Sequence, residues 1–222
     1  MNKTYAISDI HGMRPLWDQI MKYLDPSDIL YCLGDCADRG NDGWEIIKDA
    51  LADKRVIYLK GNHEDMLCEA MKDYLRDENF SYAYALLCQN GGAQTFEDWQ
   101  IGEHANPGWY QELAKLPAKT TYINKNNQTV LLSHAGYTFG DEPNFHDLIW
   151  SRDHFYDPWP EDEIADRTFC IHGHTPFLLM PKFDPYIAVG KSCKTMDLEN
   201  MNHFWYCDGH KCDIDNGSFA TG

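Results

Sequence analysis

Residues 29–40 read ILYCLGDCADRG, an apolar run that ends abruptly in glycine and charged residues. Two other stretches have the same form: residues 4–12 read TYAISDIHG, and residues 56–64 read VIYLKGNHE. Short apolar runs bounded by turn residues are typical of buried strands. The predicted strands are Thr4–Ser8, Ile29–Leu33 and Val56–Leu59. Helical patterns lie between them, so this half of the chain predicts βαβ units and a largely parallel sheet.

The intervening helices carry their own start signals. Pro15 suits the first turn of a helix, where its missing N–H costs nothing. A second helix is predicted over Trp44–Leu51 from its apolar periodicity. A third is predicted to begin at Glu64, because Glu64 and Asp65 place acidic groups at the positive end of the helix dipole.

The second half of the sequence predicts a different pattern of helices and strands. Residues 76–118 predict more helix and loop, broken at residues 90–92 and again at Pro107 and Gly108. After them come four predicted strands and a hairpin that turns at Asp208 and Gly209. The four strands are Thr120–Ile123, Thr129–Ser133, Thr168–His172 and Tyr186–Val189. We expect a meander packed on the first half, and, since no linker or repeat divides the sequence, one domain over residues 1–222.

Composition excludes several classes of protein. The 222 residues carry a formal charge of −16, which argues against a protein that grips duplex nucleic acid through its phosphates. The apolar runs are far shorter than the roughly 20 residues that span a bilayer. The amino terminus lacks the features of a signal peptide, so we expect a cytoplasmic protein without a membrane partner. Eight scattered cysteines then predict reduced thiols rather than a disulfide framework.

Polar residues follow each of the first three predicted strands. Asp9 and His11 come after the first strand, Asp35 after the second, and Asn62 and His63 after the third. Since the carboxyl ends of parallel strands meet at one edge of a sheet, where open α/β sheets bind ligands, we expect these side chains to lie together.

Two later strands also end in histidine. His134 follows one of them, and His172 and His174 end or follow the other. Any one of these residues alone is most often a turn residue, a helix cap or a satisfied polar side chain. Their joint occurrence after successive strands is hard to obtain by chance. Carboxylate, amide and imidazole donors in one set suit manganese, iron or zinc.

Six short motifs resemble those of the calcineurin-like metallophosphoesterases, and the resemblance covers residues 5 to about 218. The likeness is strongest to the bacterial and phage serine/threonine protein phosphatase branch of the phosphoprotein phosphatase family. The motifs are Asp9-Ile10-His11-Gly12, Gly34-Asp35-Cys36-Ala37-Asp38-Arg39-Gly40, Gly61-Asn62-His63-Glu64, Ser133-His134-Ala135-Gly136, Leu148-Ile149-Trp150-Ser151-Arg152-Asp153 and Gly173-His174-Thr175-Pro176.

The resemblance implies a fold and a metal site. The fold is an α/β (α+β) four-layer sandwich of two mixed sheets flanked by helices, with two metal ions at the strand ends. Asp35 would bridge the two ions, which in this family are often manganese, with iron and zinc as alternatives. The implied ligands are Asp9, His11 and Asp35 for one ion and Asp35, Asn62, His134 and His174 for the other.

The resemblance also implies the catalytic groups. Arg39 and Arg152 would bind the phosphoryl oxygens, and planar guanidinium groups can do so bidentately. His63 would protonate the leaving oxygen, with Asp38 orienting its ring. His172 stays outside the metal set, and Glu64 is interpreted simply as a cap of the helix that follows His63.

The expected function is that of a metal-dependent phosphomonoesterase acting on a phosphorylated protein, peptide or small phosphoester. The alternative is a dinucleoside polyphosphate hydrolase of the diadenosine tetraphosphate type, which shares nearly all of the motifs. A binding module without catalysis is a third hypothesis, disfavoured because it need not keep every ligand. The irregular stretch from Tyr137 to Asp166 is the predicted substrate-facing surface. Its aromatic residues could stack on a base: Phe139, Phe145, Trp150, Phe155, Tyr156 and Trp159.

Two features near the end of the sequence are left open. His203, Cys207, His210 and Cys212 could hold zinc, but their spacing matches no strong zinc pattern, so ordinary strand residues are favoured. Residues 213–218 resemble the segment that precedes one or two closing strands in the family, and the sequence stops at Gly222. Either this member is short or it has been trimmed.

Overall fold

The computed structural model describes residues 2–77, 81–137, 143–177 and 203–217, apart from the side chains of Asp77 and Asp208. The chain divides into two compact units, a first unit of residues 1–117 and a second unit of residues 118–221. The single domain expected over residues 1–222 stays a prediction.

The first unit follows the predicted βαβ pattern. Its described residues form β1 (Thr4–Ile7), α1 (Arg14–Tyr23), β2 (Ile29–Cys32), α2 (Gly43–Ala52), β3 (Val56–Tyr58), α3 (Asn62–Asp77), α4 (Tyr82–Gln89), α5 (Ala93–Glu97), a π-helix (Asp98–Gly102) and α6 (Pro107–Ala114). Pro15 lies in the first turn of α1, as expected. Helix α3 begins at Asn62 rather than at Glu64, because the acidic residues mark the first turn and not its first residue.

The three strands of the first unit pair in parallel in the order β1-β2-β3. Their register sets Ile7 opposite Cys32 and Cys32 opposite Tyr58. The last residues of all three strands therefore lie level with one another. The polar segments that follow the strands must leave the sheet from one edge, which is the placement that the sequence predicts.

The second unit holds the other strands that the structure describes. Its elements are β4 (Lys119–Ile123), β5 (Thr129–Ser133), α7 (Phe145–Ile149), short 3-10 helices at Asp153–Phe155 and Ala165–Arg167, β6 (Thr168–His172), β7 (Phe204–Tyr206), a 3-10 turn (Cys207–Gly209) and β8 (Lys211–Asp213). Strands β5 and β6 have the predicted bounds, and β7 and β8 form the predicted hairpin. The predicted strand Tyr186–Val189 lies outside the described residues.

The expectation of a meander in the second half is wrong. The sheet is mixed, with the order β4-β5-β6-β8-β7, and β5 pairs in parallel with β6. The connection between β5 and β6 contains α7 and two 3-10 helices, so the chain has room to return to the starting edge and pair in parallel. The α/β class, with two sheets and accompanying helices, is confirmed.

Cysteines and apolar residues fill the interior. All cysteines that the structure describes are free thiols, and all of these except Cys88 are buried. In the first unit, Leu30 of β2 and Ile46 and Ile47 of α2 have no exposed surface. Across the described ranges, no helix combines the length and the apolar character that a membrane span requires.

Candidate metal centre

Two loops of the first unit run side by side. We call residues 8–12 the Asp9 loop and residues 34–40 the Asp35 loop. Backbone hydrogen bonds join them: Asp9 N donates to Gly34 O (3.2 Å), and His11 N donates to Asp35 O (2.9 Å). Gly40 N donates back to His11 O (2.9 Å). The two loops therefore position each other through their main chains.

Both loops use backbone conformations that side chains rarely adopt. Asp9, His11 and Asp35 have φ values of 57°, 45° and 56°. Such left-handed residues cost on the order of 1–3 kcal/mol each and persist only where the surroundings enforce them. At Gly40 a Cβ atom would lie 2.5 Å from His11 O, so no side chain fits where the loops cross.

His11 and two carboxylates form a group that suits a cation. His11 Nδ1 lies 3.0 Å from the carbonyl oxygen of Ala37, which can only accept, so Nδ1 carries the proton. In the neutral ring Nε2 then carries the lone pair; it lies 3.7 Å from Asp9 Oδ1 and 3.6 Å from Asp35 Oδ2. Burial lowers the pKa of His11 to about 3, against the Asp35 charge, so the ring is neutral. A neutral imidazole facing two carboxylates fits a divalent metal ion.

The carboxylates are themselves held in place. Asp9 Oδ2 accepts a hydrogen bond from Ser8 Oγ at 2.5 Å, which leaves Oδ1 on the side of His11. Asp35 Oδ1 accepts from His63 N at 3.1 Å. One possible metal-ligand atom from each of His11, Asp35 and His63 lies within 4.8 Å of the other two. Asn62, the remaining predicted ligand of this unit, is buried at the start of α3.

His63 makes hydrogen bonds through both ring nitrogens. Nδ1 lies 2.7 Å from Asp38 Oδ2, and Nε2 lies 3.1 Å from Arg39 Nη2. Burial lowers the pKa of His63, but the Asp35 and Asp38 carboxylates outweigh it and raise the pKa above its usual value. Burial likewise raises the pKa of Asp38, against the opposing effect of His63. The pair therefore keeps a proton on Nδ1, and the exposed Arg39 lies at the other ring nitrogen.

Glu64 caps α3, as the sequence predicts, but this interpretation is incomplete. Its carboxylate does accept from Gly61 N (2.9 Å), the residue before α3, as a cap would. The same carboxylate also accepts from Asp35 N, Cys36 N and Ala37 N at 2.7, 2.9 and 3.2 Å. Sequence reasoning missed this role because the three amides lie far back along the chain. The sequence carries no local signal for these bonds, because an acidic residue in the first turn of a helix already has an ordinary role as a cap.

In the second unit, two of the predicted ligands contact each other. His134 Nε2 lies 3.2 Å from His174 Nδ1, and both rings are buried. His174 Nε2 donates to the carbonyl oxygen of Trp150 at 3.1 Å. This bond fixes the tautomer of His174, whose Nδ1 then accepts from His134 Nε2. The motif segments of the two histidines and of Trp150 therefore meet within this unit.

Arg152 is exposed at the start of the 3-10 helix Asp153–Phe155. The buried Lys211 holds the segment that follows it, because its Nζ donates to the carbonyl oxygens of His154 and Asp157. Burial lowers the pKa of Lys211. The second predicted phosphate-binding arginine is thus carried by a segment that is anchored to β8.

His172 has a structural place in the second unit. Its Nδ1 lies 3.1 Å from Gly173 O, and its Nε2 lies 2.8 Å from the hydroxyl of Tyr206. Burial lowers its pKa to about 3, so the ring is neutral. Both ring nitrogens of His172 are therefore engaged in hydrogen bonds within the second unit.

The possible zinc cluster does not assemble. Among the residues that the structure describes, His203, Cys207, His210 and Cys212 contribute to no close group of three metal-binding side chains. His203 is exposed, whereas His210 bonds Thr168 O at 3.0 Å and stacks on Trp159. These side chains are ordinary members of the hairpin region.

Comparisons with known proteins bear on the family and the fold. A family model described as calcineurin-like phosphoesterase matches residues 3–210. A search of curated proteins found no match. A solved structure provisionally described as a diadenosine tetraphosphatase is 15% identical, with 99% of this chain and 89% of that chain covered and a TM-score of 0.51. A protein serine/threonine phosphatase from Saccharomyces cerevisiae, with similarity to human phosphatase PP5, is 14% identical, with 96% and 70% covered and a TM-score of 0.52. At these identities the likeness shows a shared fold.

Proposed function

This chain belongs to the calcineurin-like phosphoesterase family, whose members hydrolyse phosphoesters with metal ions, and we propose that it is a phosphomonoesterase of the serine/threonine protein phosphatase type. The observation that carries the proposal is the contact of His63 with both Asp38 and Arg39, beside the carboxylate of Asp35. This arrangement sets a proton donor and a phosphate-binding group next to a cation site.

The donors of the first unit fit metal ions, as the orientation of His11 toward two carboxylates indicates. We propose that Asp9, His11, Asp35 and Asn62 bind metal, and the family motifs add His134 and His174 to the proposed ligands. Manganese is the proposed ion, with iron or zinc as alternatives. A pair of divalent ions, when bound, makes water a nucleophile near neutral pH.

Side chains around the proposed metal ligands are proposed to bind the phosphate and to transfer the proton. Arg39 and Arg152 are proposed to bind the phosphoryl oxygens, where planar guanidinium groups match their geometry. In the structure Nε2 of His63 accepts from Arg39, so His63 is proposed to act in its doubly protonated form. Once Arg39 binds the phosphoryl oxygens, Nε2 gives its proton to the leaving oxygen while Nδ1 stays bonded to Asp38. Both arginines are exposed, so both can reach a substrate from solvent.

Dinucleoside polyphosphate hydrolysis is the second candidate. It needs places for two nucleosides, and two of the aromatic residues that could stack on a base are used otherwise. Phe155 is 2% exposed and stacks on Tyr206, and Trp159 donates to Ala165 O and stacks on His210. Tyr156 and Phe145 are exposed, and Phe139 lies outside the described residues. This use of Phe155 and Trp159 favours the phosphomonoesterase proposal.

A substrate panel tests the proposal. The purified protein, with its metal content measured, is given a phosphoserine peptide, a chromogenic aryl phosphate and diadenosine tetraphosphate at matched concentrations. We expect phosphate release from the first two with manganese present, and none after chelation, because the nucleophile depends on the bound ions. Faster turnover of diadenosine tetraphosphate would favour the second candidate. Activity that is equal with and without chelation would overturn the metal-dependent mechanism.

Asp38 gives a further test, since its carboxylate holds Nδ1 of His63. A hydrogen bond to a charged group contributes about 1.5–3 kcal/mol, so Asp38→Asn should lower kcat by roughly 10- to 100-fold. The affinity for manganese should not change, because Asp38 is not a proposed ligand. Asp25→Asn, at an exposed position, is the control and should behave like the parent. An unchanged kcat in Asp38→Asn would show that the Asp38 contact has no part in catalysis.

The proposal extends to the cellular setting and the substrates. We propose a cytoplasmic enzyme that meets phosphorylated proteins, peptides or small phosphoesters. The net charge of −16 disfavours duplex nucleic acid as a partner.

A further inference from the structure

Glu64 is a fully buried carboxylate at 0% exposure, yet no proposed catalytic step uses it. Its two oxygens accept five hydrogen bonds. Oε2 accepts from Asp35 N and Gly61 N, and Oε1 accepts from Cys36 N, Ala37 N and the hydroxyl of Tyr58 (2.8 Å). A buried charge is tolerated only when it is matched in this way. One side chain of α3 therefore ties together β3, the start of α3 and the Asp35 loop.

The three donors from the Asp35 loop are consecutive amides. A run of amides that converge on one carboxylate makes a local anion site of the main chain, and here the anion is supplied by the protein itself. The backbone at Asp35 is left-handed, with φ at 56°, so residues 35–37 need an external partner to stay in this conformation. Glu64 is that partner.

The side chain of Asp35 is set from the same helix turn. Its Oδ1 accepts from the backbone N–H of His63, the residue before Glu64. Glu64 holds the main chain of Asp35 while His63 N holds its carboxylate. The direction of the second carboxylate oxygen, toward His11, follows from these two constraints together.

We propose that Glu64 is a positioning residue for metal binding: it holds residues 35–37 in the conformation that presents the Asp35 carboxylate to the metal ions. The inference rests on the proposed function, because it takes Asp35 as a metal ligand. Partners that orient a metal ligand typically change metal affinity or activity by about 10- to 100-fold when removed.

Glutamine at position 64 is the sharpest variant, because it keeps the size and removes the charge. An amide has one accepting oxygen and one donating nitrogen. If the nitrogen replaces Oε2, it faces the N–H groups of Asp35 and Gly61; if it replaces Oε1, it faces those of Cys36 and Ala37. Either orientation turns two hydrogen bonds into contacts between donors, so residues 35–37 must move.

Two control variants separate positioning from general stability. Glu69→Gln makes the same chemical change on the exposed side of the same helix. Tyr58→Phe removes the one donor to Glu64 that is not a backbone amide, and leaves all three loop amides bonded. Both controls should bind metal as the parent does.

The experiment is a manganese titration by calorimetry of the full chain, with circular dichroism to check that each variant is folded. We expect Glu64→Gln to bind manganese about 10- to 100-fold more weakly than the parent while both controls match the parent. Parent-like binding by Glu64→Gln would overturn the inference, and so would an equal loss in Tyr58→Phe. A parent that binds no manganese would instead overturn the proposed function.

Hydrogen exchange gives an independent measurement if Glu64→Gln does not fold. In the metal-free parent, the amides of Asp35, Cys36 and Ala37 should exchange as slowly as those of the paired strand β2, because a buried carboxylate holds them. Exchange as fast as in an open loop would show that Glu64 does not hold the segment, and would overturn the inference.

Discussion

Replacing His63 with asparagine should lower kcat by about 10²- to 10⁴-fold, the range typical of a lost general acid. Asparagine cannot carry a transferable proton near neutral pH, so the leaving oxygen would depart as an alkoxide. The backbone N–H of residue 63 still bonds Asp35 Oδ1, so the metal ligand should keep its place. The loss should therefore appear in kcat for an alkyl phosphate such as phosphoserine peptide.

Two measurements make the His63→Asn result specific. The loss should be much smaller for an aryl phosphate with a good leaving group, which needs little protonation. Manganese affinity should match that of the parent, because His63 is not a proposed ligand. A parallel fall in manganese affinity would mean that His63 binds metal, which its closeness to His11 and Asp35 allows geometrically. His104→Asn is the control, since His104 is exposed and its φ of 53° suits asparagine.

Replacing Gly61 with alanine should lower the activity at least about 100-fold, because a displacement of about 1 Å near a reacting group lowers the rate by about that factor. The added Cβ would lie 2.1 Å from Asp35 Oδ1, 2.7 Å from Asp35 N and 2.9 Å from Glu64 Oε2. Two of these atoms belong to Asp35, and the third belongs to Glu64, which holds the backbone of Asp35. One methyl group would therefore push the proposed bridging carboxylate and its supporting residue apart.

The Gly61→Ala variant should also be less stable, by about 1–3 kcal/mol, as overpacked sites usually are. Its activity and manganese affinity are measured at a temperature where it remains folded by circular dichroism. Gly102→Ala is the matched control, because a Cβ there meets nothing within 4 Å. Normal manganese binding and turnover in Gly61→Ala would show that the described approach of Gly61 to Asp35 does not occur.

Much of the local architecture could be predicted because it depends on neighbouring residues. Strands β5 and β6 have the predicted bounds, since each is an apolar run between turn residues. The breaks around Gly91 and before Pro107 fall where α4 ends and α6 begins, for the same reason. Polar residues after strands also predicted which side chains of the first unit would share one edge.

What could not be predicted depends on contacts far apart along the sequence. The parallel pairing of β5 with β6 is set by the path of the intervening chain, which has no periodic signal of its own. The role of Glu64 is invisible locally, because an acidic residue in a first helical turn already has an ordinary explanation. Its bonds to residues 35–37 become evident only once the strands are in register.

The crossing of the Asp9 and Asp35 loops also limits which substitutions this chain tolerates. A Cβ at Gly12 would lie 2.8 Å from the carbonyl carbon of Gly40, and one at Gly40 would lie 2.6 Å from that of Gly12. A side chain added at one of these glycines cannot be compensated at the other, because glycine is already the smallest residue there. A side chain at either glycine would therefore displace both loops.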